Sequence, residues 1–146
     1  MLAEEEYKVD KAGWPDGPWM HEPDRTQWRT ESGLPGLIVR SYYSGALCGY
    51  VAVAPGHPAY ECHYDAVPAE VHGGLTYSDH CRPPICHIPE PGEPDDVWWL
   101  GFDCAHAYDF IPKEAAVLQR EAHDWDLAYV KSQVEDLAWQ LRQMVV

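Results

Sequence analysis

The clearest pattern along the chain is at its C-terminal end. Val130, Val134, Leu137, Leu141 and Met144 recur at helical spacing, with Asp124 or Asp126 available as N-cap. This predicts an amphipathic helix from about Asp126 to Met144. Upstream the period changes to two. Leu37, Val39 and Ser41 alternate with Ile38, Arg40 and Tyr42, Ser44-Gly45 offers a turn, and Leu47 to Val53 is a second strand-like run. The two runs read as a β-hairpin. Pro55-Gly56-His57-Pro58 closes it, with His57 as a turn histidine, and Val71–Tyr77 and Val97–Cys104 are two further strand candidates. Between them, residues 79–96 contain five prolines and read as a surface loop or lid. Lys113–Ala122 has the pattern of a short helix. Residues 1–35 hold Trp14, Trp19 and Trp28 among prolines with no period, so they read as an extended arm pinned by its tryptophans.

Strands followed by helices imply an α+β fold: a mainly antiparallel sheet with the long C-terminal amphipathic helix packed on it. A chain of 146 residues fits one domain, divided into the arm 1–35, a sheet region 36–112 with long loops, and a helical C-terminus 113–146.

Composition changes this picture in three ways. Seven Trp and nine Tyr against two Phe favour half-wet aromatic surfaces as well as a core. A formal charge of −14 repels phosphate backbones and anionic lipid, which argues against direct nucleic-acid or membrane-surface binding. The acids are dispersed, apart from Glu4–Glu6 and Asp95–Asp96, so an ordinary soluble surface is the simpler reading. Five cysteines, an odd number without a secretory signal, predict reduced thiols in a cytoplasm and no disulfide. No apolar run is long enough to span a bilayer.

Two stretches carry candidate chemistry. In Val71-His72-Gly73-Gly74-Leu75-Thr76-Tyr77, strand alternation puts His72, Gly74 and Thr76 on one face, with an empty position between imidazole and hydroxyl. In Trp98–Cys104, alternation puts Trp98, Leu100, Phe102 and Cys104 on a core face and Trp99, Gly101 and Asp103 opposite, with His106 and Asp109 in the turn beyond. Imidazole suits proton transfer or metal ligation near neutral pH, and carboxylates orient it or bind a cation. His72, Asp103 and His106 are therefore the catalytic candidates, and Thr76, Trp99 and Asp109 the substrate-binding ones. The same residues are equally explained by a structural Asp–His pair tying a loop to a strand.

Cysteine and histidine also crowd together, at Cys62-His63, His80-Cys81, Cys86-His87 and Cys104-Ala105-His106. Zinc or another divalent ion is the cofactor such groups would hold, although Cys81 and Cys86, five apart with two prolines between, match no standard knuckle. Cys104 reads as a small core hydrophobe more readily than a nucleophile. Arg25, after Pro23-Asp24, reads as a surface or arm-docking ion pair.

Glu22-Pro23-Asp24-Arg25, Gly49-Tyr50-Val51, Gly56-His57-Pro58, the His-Gly-Gly-Leu-Thr-Tyr string and Gly101-Phe102-Asp103-Cys104-Ala105-His106 together resemble a family of small proteins found in bacteriophage genomes and in bacteria. The likeness runs from the arm to the C-terminal helix, and Tyr108 departs from it where a glycine is expected before Asp109. No activity is assigned to that family. The resemblance implies a phage or prophage accessory protein in the bacterial host cytoplasm.

Two functions from different classes fit. One is a small hydrolase using His72, Asp103 and His106, with or without a divalent metal that acidifies a bound water. The other is a non-enzymatic acidic binding protein that inhibits a host defence or nucleic-acid enzyme, its exposed Trp and Tyr serving as anchors. The first takes a small-molecule ligand and predicts that His72 and Asp103 converge on one side of the sheet. The second takes a basic protein partner and predicts an acidic patch without convergence.

Overall fold

A computed structural model describes residues 7–12, 20–41, 45–87, 89, 91–103 and 127–145. Its centre is a five-stranded antiparallel sheet in the order β1-β2-β3-β5-β4. The strands are β1 (Arg25–Arg29), β2 (Pro35–Arg40), β3 (Leu47–Val53), β4 (Tyr77–His80) and β5 (Trp98–Asp103), followed by helix α1 (Leu127–Gln143). This is the α+β architecture expected from the sequence, with the C-terminal helix packed on the sheet.

The β2–β3 hairpin follows the predicted alternation, pairing Gly36 with Val51 through Arg40 with Leu47. On one face Ile38, Leu47, Val51, Val53, Leu100 and Phe102 pack against Val130, Val134, Leu137, Ala138 and Leu141 of α1. Burying each Val or Leu side chain contributes roughly 1.5–3 kcal/mol. Gly49 permits the close approach of these layers. A Cβ there would stand 2.6 Å from the Phe102 ring and 2.7 Å from a Val134 methyl carbon. At the C-terminal end of α1, the Leu141 carbonyl lies 2.8 Å from His57 Nε2. The Ala59 N–H donates to His57 Nδ1, so Nε2 carries the proton and caps the helix. The turn histidine thus also fastens α1.

Four expectations need correction. Residues 25–29, read as part of an extended arm, form the edge strand β1. Its alternation is masked in sequence because Arg25, Gln27 and Arg29 occupy one face, while Trp28 on the other donates its indole N–H to Glu135 of α1 at 2.7 Å. The strand expected over Val71–Tyr77 instead begins at Tyr77 and continues to His80, into the stretch read as a loop. Gly73 and Gly74 have φ of 68° and 82°, which bends the preceding residues into a turn closed by Gly74 N–H to the Val71 carbonyl.

Third, Cys81 and Cys86 form a disulfide. Arg82 and Ile85 pair as a β-bridge around Pro83-Pro84, which brings the two Cα atoms to 4.8 Å. The expectation of five free thiols therefore fails, and it no longer supports a cytoplasmic location; Cys48 and Cys62 are free, and Cys104 lies outside the described residues. Fourth, Arg25 is no surface residue. It is 1% exposed and donates to the Gln27 side chain and the Cys86 carbonyl.

The second face of the sheet is covered too. Leu37, Val39, Cys48, Tyr50, Ala52 and Trp99 are buried with Val97, and with Ile85 of the stapled loop and Tyr7 packed against them. The predicted helix at Lys113–Ala122 lies outside the described residues. Among those described, no helix is long and apolar enough to cross a membrane.

One end of the sheet is tied by a buried ionic cluster. Arg40 donates from Nε to Asp24 at 2.9 Å, from Nη1 to the Gly45 carbonyl and from Nη2 to Glu22. Asp24 also accepts from Lys11 and from the Val9 N–H. Glu22 accepts the Leu127 N–H at the start of α1. Replacing Asp24 by Ala leaves the Arg40 charge buried beside one fewer carboxylate and should cost about 3–5 kcal/mol in urea denaturation. Leu137→Ala, which empties the helix–sheet core, should cost about 2–5 kcal/mol in the same assay.

Candidate functional site

The two halves of the sequence-derived site have different partners in the structure. His72 follows Val71 in a turn and faces α1. Its Nδ1 is 3.1 Å from the Tyr129 hydroxyl, its ring stands edge-on to that phenol, and its N–H donates to Gln133. Asp103 ends β5 on the other face of the sheet, because Phe102 before it points into the helix-side core. Its Cα partner across the ladder is Cys48, which belongs to the opposite cluster. His72 is thus held by α1, while Asp103 adjoins Cys48 and Thr76.

Thr76 does meet Asp103. Its hydroxyl donates to Asp103 Oδ2 at 3.1 Å, and its N–H donates to the Gly101 carbonyl. Trp99 is 0% exposed and belongs to the core rather than to a ligand-contacting surface. His106 and Asp109 lie outside the described residues.

The glycines that suggested room above the sheet act differently. A Cβ on Gly101 would lie 2.3 Å from the Tyr50 ring, so that space holds an aromatic side chain. Gly74 does border open space, but within a turn rather than on a strand face. Nor is Cys48, the described thiol beside Asp103, reactive. Burial, reinforced by the negative charge of Asp103, pushes the Cys48 pKa up to about 12, so the thiol stays protonated and unreactive. Burial likewise raises the Tyr50 phenol far above its usual value. Among the described residues, no group of three or more His, Cys, Asp or Glu side chains could hold a metal ion.

A different constellation forms at the β4 edge, from residues far apart in sequence. Glu61, Asp65, Asp95 and Asp96 are exposed around the half-buried Tyr60, Tyr64 and Trp98. His80 links them, at 3.0 Å from Glu61 and edge-on to both Tyr60 and Trp98. The Tyr60 hydroxyl donates to the Asp96 carbonyl, and the Trp98 indole N–H to that of Cys62. The Tyr64 N–H donates to Ser78 of β4, joining this loop to the sheet edge. Partial burial, then the charges of Glu61 and Asp96, raise the Tyr60 pKa. Asp79 is held below the usual carboxylate value first by the His80 N–H, with Arg82 adding to it. This is a negative surface with planar aromatic footholds.

No family model matches the chain, and no curated protein and no solved structure matches it.

The different partners of His72 and Asp103 can be tested. A double-mutant cycle of His72→Ala with Asp103→Asn should be additive within about 0.3–0.5 kcal/mol. The cycles His72→Ala with Tyr129→Phe, and Thr76→Val with Asp103→Asn, should show coupling of roughly 0.5 kcal/mol or more. Chemical denaturation of each set reads all three values.

Proposed function

We propose that this chain is a binding protein that recognises a basic protein surface through the acidic, aromatic face at the β4 edge. The observation that supports it best is the gathering of Glu61, Asp65, Asp95 and Asp96 around Tyr60, Tyr64 and Trp98. Carboxylates at a rim steer a cationic partner and set its register, while Tyr and Trp supply contact area at low entropic cost. The net charge of −14 extends the same field over the whole molecule. In this reading the chain is a phage or prophage accessory protein that blocks a basic surface of a host defence or nucleic-acid enzyme in the bacterial cytoplasm. A hydrolase built on His72 and Asp103 has less support, since the hydrogen bonds of His72 run to Tyr129 and Gln133 and that of Asp103 to Thr76.

The test is titration with a Lys- and Arg-rich peptide, followed by calorimetry at two salt concentrations. Binding should weaken as salt rises, as screening demands. The double reversal Glu61→Lys with Asp96→Lys should lower affinity at least about tenfold, equivalent to about 1.4 kcal/mol. Asp136→Lys, on the exposed side of α1, should change it far less. Equal losses from the two variants would leave only non-specific charge attraction and defeat the proposal.

A further inference from the structure

The acidic face at the β4 edge carries two histidines, and each is paired with one of its carboxylates. His80, which ends β4, has Nε2 3.0 Å from Glu61 Oε2, and its ring stands edge-on to Tyr60 and to Trp98. His63 has Nδ1 3.6 Å from Asp65 Oδ2, and its ring lies over Tyr64 with centroids 4.1 Å apart at 32°. Both imidazoles and both carboxylates are exposed. Their hydrogen bonds fix the neutral tautomers. His63 Nδ1 accepts the Asp65 N–H, so the single proton of that ring is on Nε2. His80 Nε2 donates to Glu61, which leaves Nδ1 to take a second proton.

Imidazole is the side chain that ordinarily gains its charge between about pH 8 and 5, where carboxylates and guanidinium groups ordinarily do not titrate. The groups facing the two rings follow that division. Asp79 accepts the His80 N–H and is paired with Arg82, so its charge is already cancelled. Its carboxyl is held below the usual value first by that N–H, and it stays ionised. Partial burial, then the charges of Glu61 and Asp96, raises the Tyr60 phenol, which stays neutral. Trp98 and Ser78 carry no charge. Glu61, Asp65, Asp95 and Asp96 therefore supply the charge that a basic surface meets, and His63 and His80 are the groups beside them that can gain one. A proton on each ring offsets half of that negative charge.

We propose that His63 and His80 make the acidic face a pH-sensitive docking surface, which holds a basic partner most tightly near pH 7.5 and more weakly as the pH falls toward 5.5. The inference rests on the reading of this face as the docking surface for a basic protein. Once protonated, each imidazolium pairs with its own carboxylate, Glu61 or Asp65, and competes for it with a Lys or Arg of the partner. A bound cationic surface in turn disfavours the added proton. Protonation therefore favours the free protein, and affinity is highest where both rings are neutral. The two histidines lie on different segments, one on the loop and one on the strand, which the Tyr64 N–H joins through Ser78. Their charges thus act across the rim rather than at a single contact.

Calorimetric titration with an acetylated, Lys- and Arg-rich peptide at pH 7.5 and 5.5, both at low salt, tests this. Lys and Arg keep their charge across that interval, so the peptide itself does not titrate. The full chain should bind at least about threefold more weakly at pH 5.5, the loss expected when two partly screened charges are added to the face. The double variant His63→Gln with His80→Gln should show affinities at the two pH values that agree within about twofold, whatever their absolute level. His21→Gln, an exposed histidine outside the face, should keep the wild-type dependence. Should the double variant fold poorly, the wild type decides alone: at pH 6.5, in buffers of different ionisation enthalpy, peptide binding should release protons. Equal wild-type affinity at the two pH values, a dependence that persists in the double variant, or binding without proton release would each overturn the pH sensitivity and leave the docking surface standing. Absence of binding at both pH values would overturn the docking surface and its pH sensitivity together.

Discussion

The N-terminal segment, the strand β2 and the start of α1 are all tied to the cluster that Asp24 and Arg40 form at one end of the sheet. Arg40 is 2% exposed and Asp24 4%, so both charges have left water. Desolvation of that order is repaid only where geometry and additional hydrogen bonds are close to complete. Here they are: the guanidinium reaches Asp24, Glu22 and the Gly45 carbonyl, while the carboxylates collect Lys11, the Val9 N–H and the first N–H of α1. A hydrophobic pair of equal volume could match its net stability, but could not select these partners. The cluster fixes where the N-terminal segment, the β2–β3 turn and the helix start sit relative to one another. Its worth lies in specification more than in added stability.

A second constraint follows from covering both faces of a sheet only five strands wide. Antiparallel sheets commonly leave one face wet, which gives the alternating pattern used to read them. In β3 all seven residues are buried, and the sequence accordingly shows a continuous apolar run. The helix covers one face with regular ridges of Val and Leu. The other is covered by an irregular, proline-rich segment that cannot pair its own backbone regularly, and a disulfide between Cys81 and Cys86 closes part of it. Irregular cover packs less completely than a helix. That is consistent with unsatisfied polar atoms of His87, Trp99 and Tyr77, among the described residues, on the loop side of the sheet.

What could be read from the sequence divides along the same line. The final helix and strands β2, β3 and β5 were legible because each follows one period against one core. β1 was not, since Arg25, Gln27 and Arg29 look like surface residues until the loop that buries Arg25 is in place. β4 was displaced because Gly73-Gly74 inside an apparent alternation suggested a strand floor, whereas their positive φ makes them a turn. Face assignment within β5 was correct, with Trp98, Leu100 and Phe102 opposite Trp99 and Asp103. The partners of His72 were not legible, because alternation fixes faces only within one sheet and His72 lies outside it, against α1. His87 could have been noticed as a histidine beside a cysteine in a proline-rich loop, but nothing local says that such a loop closes over Trp99.

Charge shows the same dependence on fold. Along the chain the acids are scattered, and scattering reads as an ordinary solvated surface. The fold draws residues 61, 65, 79, 95 and 96 to one edge because Tyr60 and Trp98 must pack beside β4, and their neighbours follow. Arg82 is bound to Asp79, which leaves the remaining carboxylates of that edge facing outward. Crowding like charges costs energy in the isolated protein, and a cationic surface would relieve that cost. The Tyr60 and Trp98 rings beneath them fix where such a surface could lie, since each is held by a hydrogen bond to a backbone carbonyl. A rigid aromatic floor under an acidic rim is therefore a feature that association with a basic surface explains better than folding alone does.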